Sequence, residues 1–234
     1  LNVVALSNLE TPESGFATPA AAAISLAIAL MATAVTTAAI GELRLSHADL
    51  SRTQADYMLA GVQSQAELGL ISTSSNGRLR WSGPGVAEIL AEPEASKLDI
   101  AHAAQLDDAT LAKLGVIDPD RLLPRLATLG DANAAAIAAA DASPAWRACA
   151  RSIVSPYGTA AKLRFAQAAS PTGSGPQWRI GEVWRIRVVL ADGWVDDRIV
   201  RFTGDLNHPA AIVERQLARG KQEGDQCDVL FAAS

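Results

Sequence analysis

The hydrophobic and polar positions along the chain separate into a charge-free run, a helical stripe, a set of short helical pieces and a strand-like C-terminal part. From Phe16 to Ile40 there are 25 consecutive uncharged residues, ended by Gly41-Glu42-Leu43-Arg44. A helix crossing a bilayer needs about 20 mainly apolar residues, so this run is long enough. Its hydrophobicity is moderate. Ala and Thr dominate, and Ile24, Leu26, Ile28, Leu30, Met31, Val35 and Ile40 are its stronger members. Pro19 suits a first helical turn, where its missing N–H is not needed. Residues 41–70 contain no proline, and Leu43, Leu50, Tyr57, Met58, Val62, Ala66 and Leu70 recur at three-, four- and seven-residue steps. That spacing predicts one face of an amphipathic helix, with Arg44, Asp49, Arg52, Asp56 and Glu67 on the remaining positions. The two halves together predict one helix over 18–70, roughly 75–80 Å long at 1.5 Å per residue, with Gly41 and Gly61 as its soft points. A buried alanine-rich helix of a soluble protein is one alternative. A cleavable secretory signal is another, although that signal has a basic n-region and a shorter apolar core.

Residues 97–150 read as helices in pieces: Asp107-Asp108 caps "DDATLAKLGV", Asp118-Pro119 opens "DPDRLLPRLATLG", and Pro124 and Pro144 break the runs. Leu111, Leu114, Leu122, Leu123, Leu126 and Leu129 supply the expected core. "ANAAAIAAA" is too short for a second span and is bracketed by Asp131 and Asp141. "AASPTGSGPQ" at 168–177 reads as a loop; Gly173-Ser174-Gly175 precedes a strand and is followed by Pro176, which does not suit a phosphate cradle. Next, Val183, Arg185, Arg187 and Val189 alternate with Trp184, Ile186, Val188 and Leu190, and Asp192-Gly193 stands where a hairpin turn belongs. Asp196-Asp197 on the second strand reads first as a solvated pair, with general acid/base groups or calcium ligands as the alternatives. His208-Pro209 reads as a helix start.

Composition narrows the chemistry. The chain has 234 residues, 49% apolar but only 5% aromatic, which favours helices with small-residue faces. A net charge of −5, with no Lys or Arg before Arg44, gives no basic stripe and argues against nucleic acid as a partner. Cys149 and Cys227 are the only cysteines. They form no zinc pattern, and are candidates for one disulfide in an oxidising compartment or for two separate thiols. His47, His102 and His208 lie in unrelated segments, and no Walker loop, HExxH or GxSxG occurs. No catalytic residues are assigned, and no metal ligands.

A short leader ending in Gly15, then Phe16, then an uncharged half-helix running into an amphipathic half resembles the type IV pilin and type II secretion pseudopilin superfamily. The resemblance implies a cut between Gly15 and Phe16 by prepilin peptidase, with methylation of the new N-terminus. Most members have glutamate as the fifth mature residue; here that position is Ala20. The lack is typical of the large minor pseudopilin K of the general secretion pathway. Lys97-Leu98-Asp99-Ile100 resembles the K/R-[IL]-D-[LI]-N element of that family, with Ala101-His102 in place of the Asn. Glu92 and Glu94 replace its more usual acidic-Gly pattern, and "GEVWRIRVVLADGWVDDRIVRF" resembles its closing strands.

The expected fold is therefore α+β: a long pilin-like N-terminal helix, half membrane and half amphipathic, and a small antiparallel β-sheet domain with an inserted α-helical subdomain. The expected division is a leader at 1–15, the helix at 16–70, a first α/β part at 71–96, the helical insertion at 97–150 and a β-rich part at 151–234. The resemblance implies a non-enzymatic subunit at the tip of a secretion pseudopilus, acting in export across the outer membrane. Its partners would be the other minor pseudopilins, the major pseudopilin and prepilin peptidase. It would be single-pass in the bacterial inner membrane, with its C-terminal domain in the periplasm. No cofactor is expected; calcium is implied by some K-type members, without identified ligands. A minor pilin of a type IV pilus and a signal-anchored periplasmic binding domain are the alternatives.

Overall fold

Proline is missing from residues 20–83, and alanine, the best helix former, is abundant up to Ala39. In the computed structural model one helix, α1, accordingly runs unbroken over Ala17–Ser72, through both Gly41 and Gly61. The structure describes residues 17–72, 77–129, 134–161, 180–205, 207–220 and 227. It divides into two units, the first ending at Gln54 and the second beginning at Ala55.

The second unit holds an antiparallel sheet in the order β1 (Leu79–Gly83), β2 (Val86–Pro93), β5 (Val183–Leu190), β6 (Trp194–Phe202) and β7 (Ala210–Arg219). The hairpin expected at Asp192-Gly193 is present. Gly193 takes φ 86°, a value open to glycine at little cost, and its N–H donates to the Leu190 carbonyl at 3.0 Å. Trp184, Ile186, Val188 and Leu190 form one face of β5 and pack with Ile89, Val200 and Phe202. The end of α1 covers this face through Ala55, Leu59, Ala66 and Leu70.

The predicted face of that helix needs correction. Tyr57 and Met58 are exposed, while Leu59 and Gln63 are fully buried. Steps of four and three from Ala55 place 55, 59, 63, 66 and 70 on one stripe, and the exposed Tyr and Met lie beside it. His208-Pro209 also differs from expectation: it precedes a strand, not a helix. Thr203 N–H donates to the Pro209 carbonyl at 3.0 Å, and β7 then pairs along β6 from Ala210↔Phe202 to Arg219↔Trp194.

Between β2 and β5, which pair with each other, the chain passes through β3 (Leu98–Asp99), α2 (Asp108–Lys113), α3 (Pro119–Leu129), α4 (Ala134–Ala138), α5 (Pro144–Ile153) and β4 (Val154–Ser155). Asp107 Oδ1 accepts from Thr110 N–H at the start of α2, and Ser143 Oγ from Trp146 N–H at 3.3 Å at the start of α5. Pro144 therefore opens a helix. Pro124 does not break one; it lies inside α3, which forgoes a single backbone bond there. The expected leucines do form the core: Leu111, Leu114, Leu122 and Leu126 are buried, and Leu123 and Leu129 pack against them. Trp146, Ile137, Ile153, Cys149 and Cys227 complete this cluster.

Candidate functional site

In the first unit α1 exposes nearly every apolar side chain. Ile24, Leu26, Ile28, Leu30, Met31 and Val35 are each more than 60% exposed, which would be costly in water. Four hydroxyls of this half are closed on the helix itself. Ser25 donates to the Ala21 carbonyl at 2.9 Å, Thr33 to Ala29 at 2.7 Å, Thr36 to Ala32 at 2.8 Å and Thr37 to Ala34 at 2.9 Å. Such back-bonds are what a hydroxyl needs where water is absent. The helix is long and apolar enough to cross a membrane.

In the second unit the Lys97–Ile100 element forms the neck through which the helical segment leaves the sheet and returns. Leu98 and Asp99 pair in parallel with Val154 and Ser155. The returning chain is then fastened to the departing one: Ala160 N–H donates to the Lys97 carbonyl at 3.1 Å and Thr159 N–H to Ala95 at 3.2 Å. Leu98 and Ile100 are anchored in the helical core. Asp99 Oδ1 accepts from Ala101 N–H at 3.0 Å, and its Oδ2 lies 3.0 Å from His102 Nδ1. Gly158 touches the neck so closely that a Cβ would lie 2.6 Å from the Lys97 carbonyl oxygen.

Lys97 is 2% exposed, and a buried ammonium must be paired. Its Nζ donates to Glu94 and to the Arg151 carbonyl at 2.8 Å, and lies 3.4 Å from Glu92. Glu92 also meets Arg78 at 3.1 Å and is the register partner of Arg185. Arg185 in turn grips Asp197, which lies 3.2 Å from Arg151, and Arg151 reaches Glu214 at 3.2 Å. Four cations and four carboxylates thus join the residue before β1, β2, the turn at Glu94–Ser96, β5, β6, α5 and β7. Burial opposes ionisation of Asp197, but Arg185 above all, with Arg151 and Lys97, holds its carboxyl well below the usual range. Glu92 is likewise buried, and Lys97, Arg185 and Arg78 hold it below its ordinary value.

Asp196 and Asp197 are therefore not a solvated pair. Neighbours on a strand point to opposite faces, and both carboxylates are buried. Asp197 joins the cluster above. Asp196, on the α1 side, accepts from Arg198 Nε at 2.7 Å and from Arg215 Nε at 3.0 Å. Arg215 also pairs with Asp56 of α1. Gln63 of α1 donates to the carbonyls of Ile186 at 3.2 Å and Asp196 at 3.1 Å, so the end of the helix is pinned to two central strands.

Among the described residues no three His, Cys, Asp or Glu side chains come together as a metal site. The three histidines remain apart. His47 lies in the first unit, His102 on the neck and His208 before β7. Cys149 and Cys227 are free thiols, both buried in the helical core. Gly15, Phe16 and the glycine loop at 168–177 lie outside the described residues.

Sequence reading missed the arginines that neutralise Asp196 and Asp197. Part of the signal was available, because the turn at Asp192-Gly193 fixes the hairpin register, and with Arg187 opposite Asp197 the next residue on that face of β5 is Arg185. In comparisons with known proteins, no family model, no curated protein and no solved structure matches this chain.

Proposed function

We propose that the chain is a membrane-anchored, non-enzymatic assembly subunit of a bacterial envelope secretion machine, most like minor pseudopilin K. One observation carries this reading: a charge-free half-helix, with the hydroxyls of Ser25, Thr33, Thr36 and Thr37 closed on its own backbone, continues without a break as α1 into a small α+β unit. In this reading the chain is cut after Gly15. The uncharged half is held in the inner membrane and then passes among the helices of the other pseudopilins, where Ala- and Thr-rich surfaces permit close approach.

Ala20, at the fifth position after the cut, supports a place at the tip. The usual glutamate there would pair with the N-terminal amine of a neighbouring subunit, a contact this chain cannot make. Helices lodged between the paired strands β2 and β5 fit the helical insertion of the K type, with Lys97–Ile100 as its neck. The globular part would lie in the periplasm.

The mature N-terminus tests the reading. Full-length protein is produced with and without prepilin peptidase, and the terminal peptide is read by mass spectrometry. The expected product starts at N-methylated Phe16 only when the peptidase is present. An intact leader, or a cut beyond the apolar run, overturns the assembly role and leaves a signal-anchored or secreted domain.

A further inference from the structure

A cavity of about 490 Å3 opens between α4–α5 and the face of β5–β7 turned away from α1. Its lining contains Arg147, Arg151, Arg185, Arg187 and Arg219 against one carboxylate, Asp197. Arg219 turns to the other face of the sheet, so four arginines against Asp197 and Glu214, which Arg151 holds, leave a formal excess of two positive charges. The whole chain carries −5, so the cavity concentrates charge of the opposite sign.

The placement is ordered. Arg187, Asp197 and Gln216 are register partners across three strands and form one row. Arg187 is buried at the floor, and Arg151 Nε is buried with no hydrogen-bond partner among the described residues. Arg147 stands exposed at the rim, donating to the Ala142 carbonyl at 2.7 Å, while the Arg219 guanidinium turns to the other face of the sheet, over the Trp194 ring at 5.5 Å. The helix wall is alanine (Ala138, Ala139 and Ala148), which leaves room above the arginines. Guanidinium groups bind carboxylates through paired N–H donors, and more strongly where water is reduced.

We propose that this cavity binds an acidic segment of a partner polypeptide, with Asp or Glu carboxylates entering between Arg187 and the rim arginine Arg147. The volume is of the size that holds a multi-atom ligand, larger than one carboxylate or phosphate requires. Its lip, at Gln216 and Ala218, belongs to β7, the terminal strand of the described sheet, where an extended segment can lie alongside. The inference stands apart from the assembly role and does not depend on the membrane helix.

The test uses the full chain in detergent micelles and a fluorescein-labelled penta-glutamate peptide with blocked ends, followed by fluorescence anisotropy. Saturable binding that weakens with salt is expected. Arg147→Glu, an exposed change that leaves the fold intact, weakens binding at least tenfold. Arg187→Gln, with folding checked by circular dichroism, does the same. Arg80→Gln, on β1 and paired with Glu88 away from the cavity, leaves binding unchanged. Equal binding of penta-glutamine overturns the proposal, as does an equal loss in Arg80→Gln and Arg147→Glu. Displacement of the peptide by an equal concentration of inorganic phosphate also overturns it, because the cavity would then serve free oxyanions.

Discussion

Arg185 holds Asp197 through two parallel hydrogen bonds across the hairpin, Nε to Oδ1 at 2.8 Å and Nη2 to Oδ2 at 2.6 Å. Two planar groups in this arrangement form the strongest pairing available to a buried arginine. Asp197 is also the carboxylate that Arg151 of α5 approaches at 3.2 Å, so one side chain ties the helical segment to the sheet. Asp197→Asn keeps the shape and removes the charge, leaving two buried guanidiniums short of a counter-ion. Breaking a buried pair from one side costs about 3–5 kcal/mol. The urea midpoint, followed by fluorescence of the buried Trp184, should fall accordingly. Asp197→Leu combined with Arg185→Met should recover part of the loss, because no charge of that pair is then stranded.

Acid should weaken the same cluster. Asp197 and Glu92 are held below their ordinary values of 3.8 and 4.5 in the folded chain. In the window beneath those values the unfolded chain binds more protons than the folded one, so stability falls as pH falls. The contribution is present in full above about pH 5 and is lost progressively on acidification towards the folded-state values. Urea midpoints should be level between about pH 7 and 5 and decline below about 4.5, with a shallower decline in Asp197→Asn. A midpoint that is flat down to about pH 3 would show that these carboxylates are not held below their ordinary range.

The elements were legible where local chemistry decides them. The uncharged run, the missing prolines and the leucine spacing were enough for α1 and for the core of α2 and α3. The alternation of 183–190 about Asp192-Gly193 was enough for β5 and β6. What was not legible depends on long-range pairing. Val200↔Ile212 and Ile199↔Glu214 make β7 a strand, although His208-Pro209 reads locally as a helix start. The burial of Asp196 and Asp197 arises from Arg215, Arg185 and Arg151, which reach them from three separate elements. The Lys97–Ile100 element was visible as a motif, but its role as a neck follows only from Val154–Ala160 returning beside it.

Two glycines should respond oppositely to alanine. At Gly158 a new Cβ would meet backbone atoms of Lys97 and Leu98 at 2.6–2.7 Å, closer than side chains approach, and backbone cannot swing away. Gly158→Ala should therefore destabilise the chain by about 1–3 kcal/mol, the usual cost of forcing an extra methyl into a packed site. Gly61 lies within α1 with nothing within 4 Å of an added Cβ. Gly61→Ala should stabilise the helix by up to about 1 kcal/mol through backbone entropy. Thermal unfolding of the two variants beside the parent separates these signs, and equal destabilisation of both would contradict the close contact as its cause.

The apolar half of α1 makes the most direct prediction about location. Leu26 and Leu30 lie one turn apart, both more than 60% exposed, in the middle of the uncharged run. An aspartate near the centre of a spanning helix costs about 2.5–3.5 kcal/mol, whereas leucine contributes about −0.3 to −0.6. The double change Leu26→Asp and Leu30→Asp should therefore cost about 6–8 kcal/mol of insertion, enough to reverse anchoring by a helix of only moderate hydrophobicity. Neither residue belongs to the buried core of the second unit, so that unit should keep its fold and its far-ultraviolet spectrum. After carbonate washing of cell membranes, the parent chain should remain in the pellet and the double variant should be in the supernatant. Retention of both in the pellet would mean that something other than this run holds the chain. Release of both would mean that the run is not inserted at all.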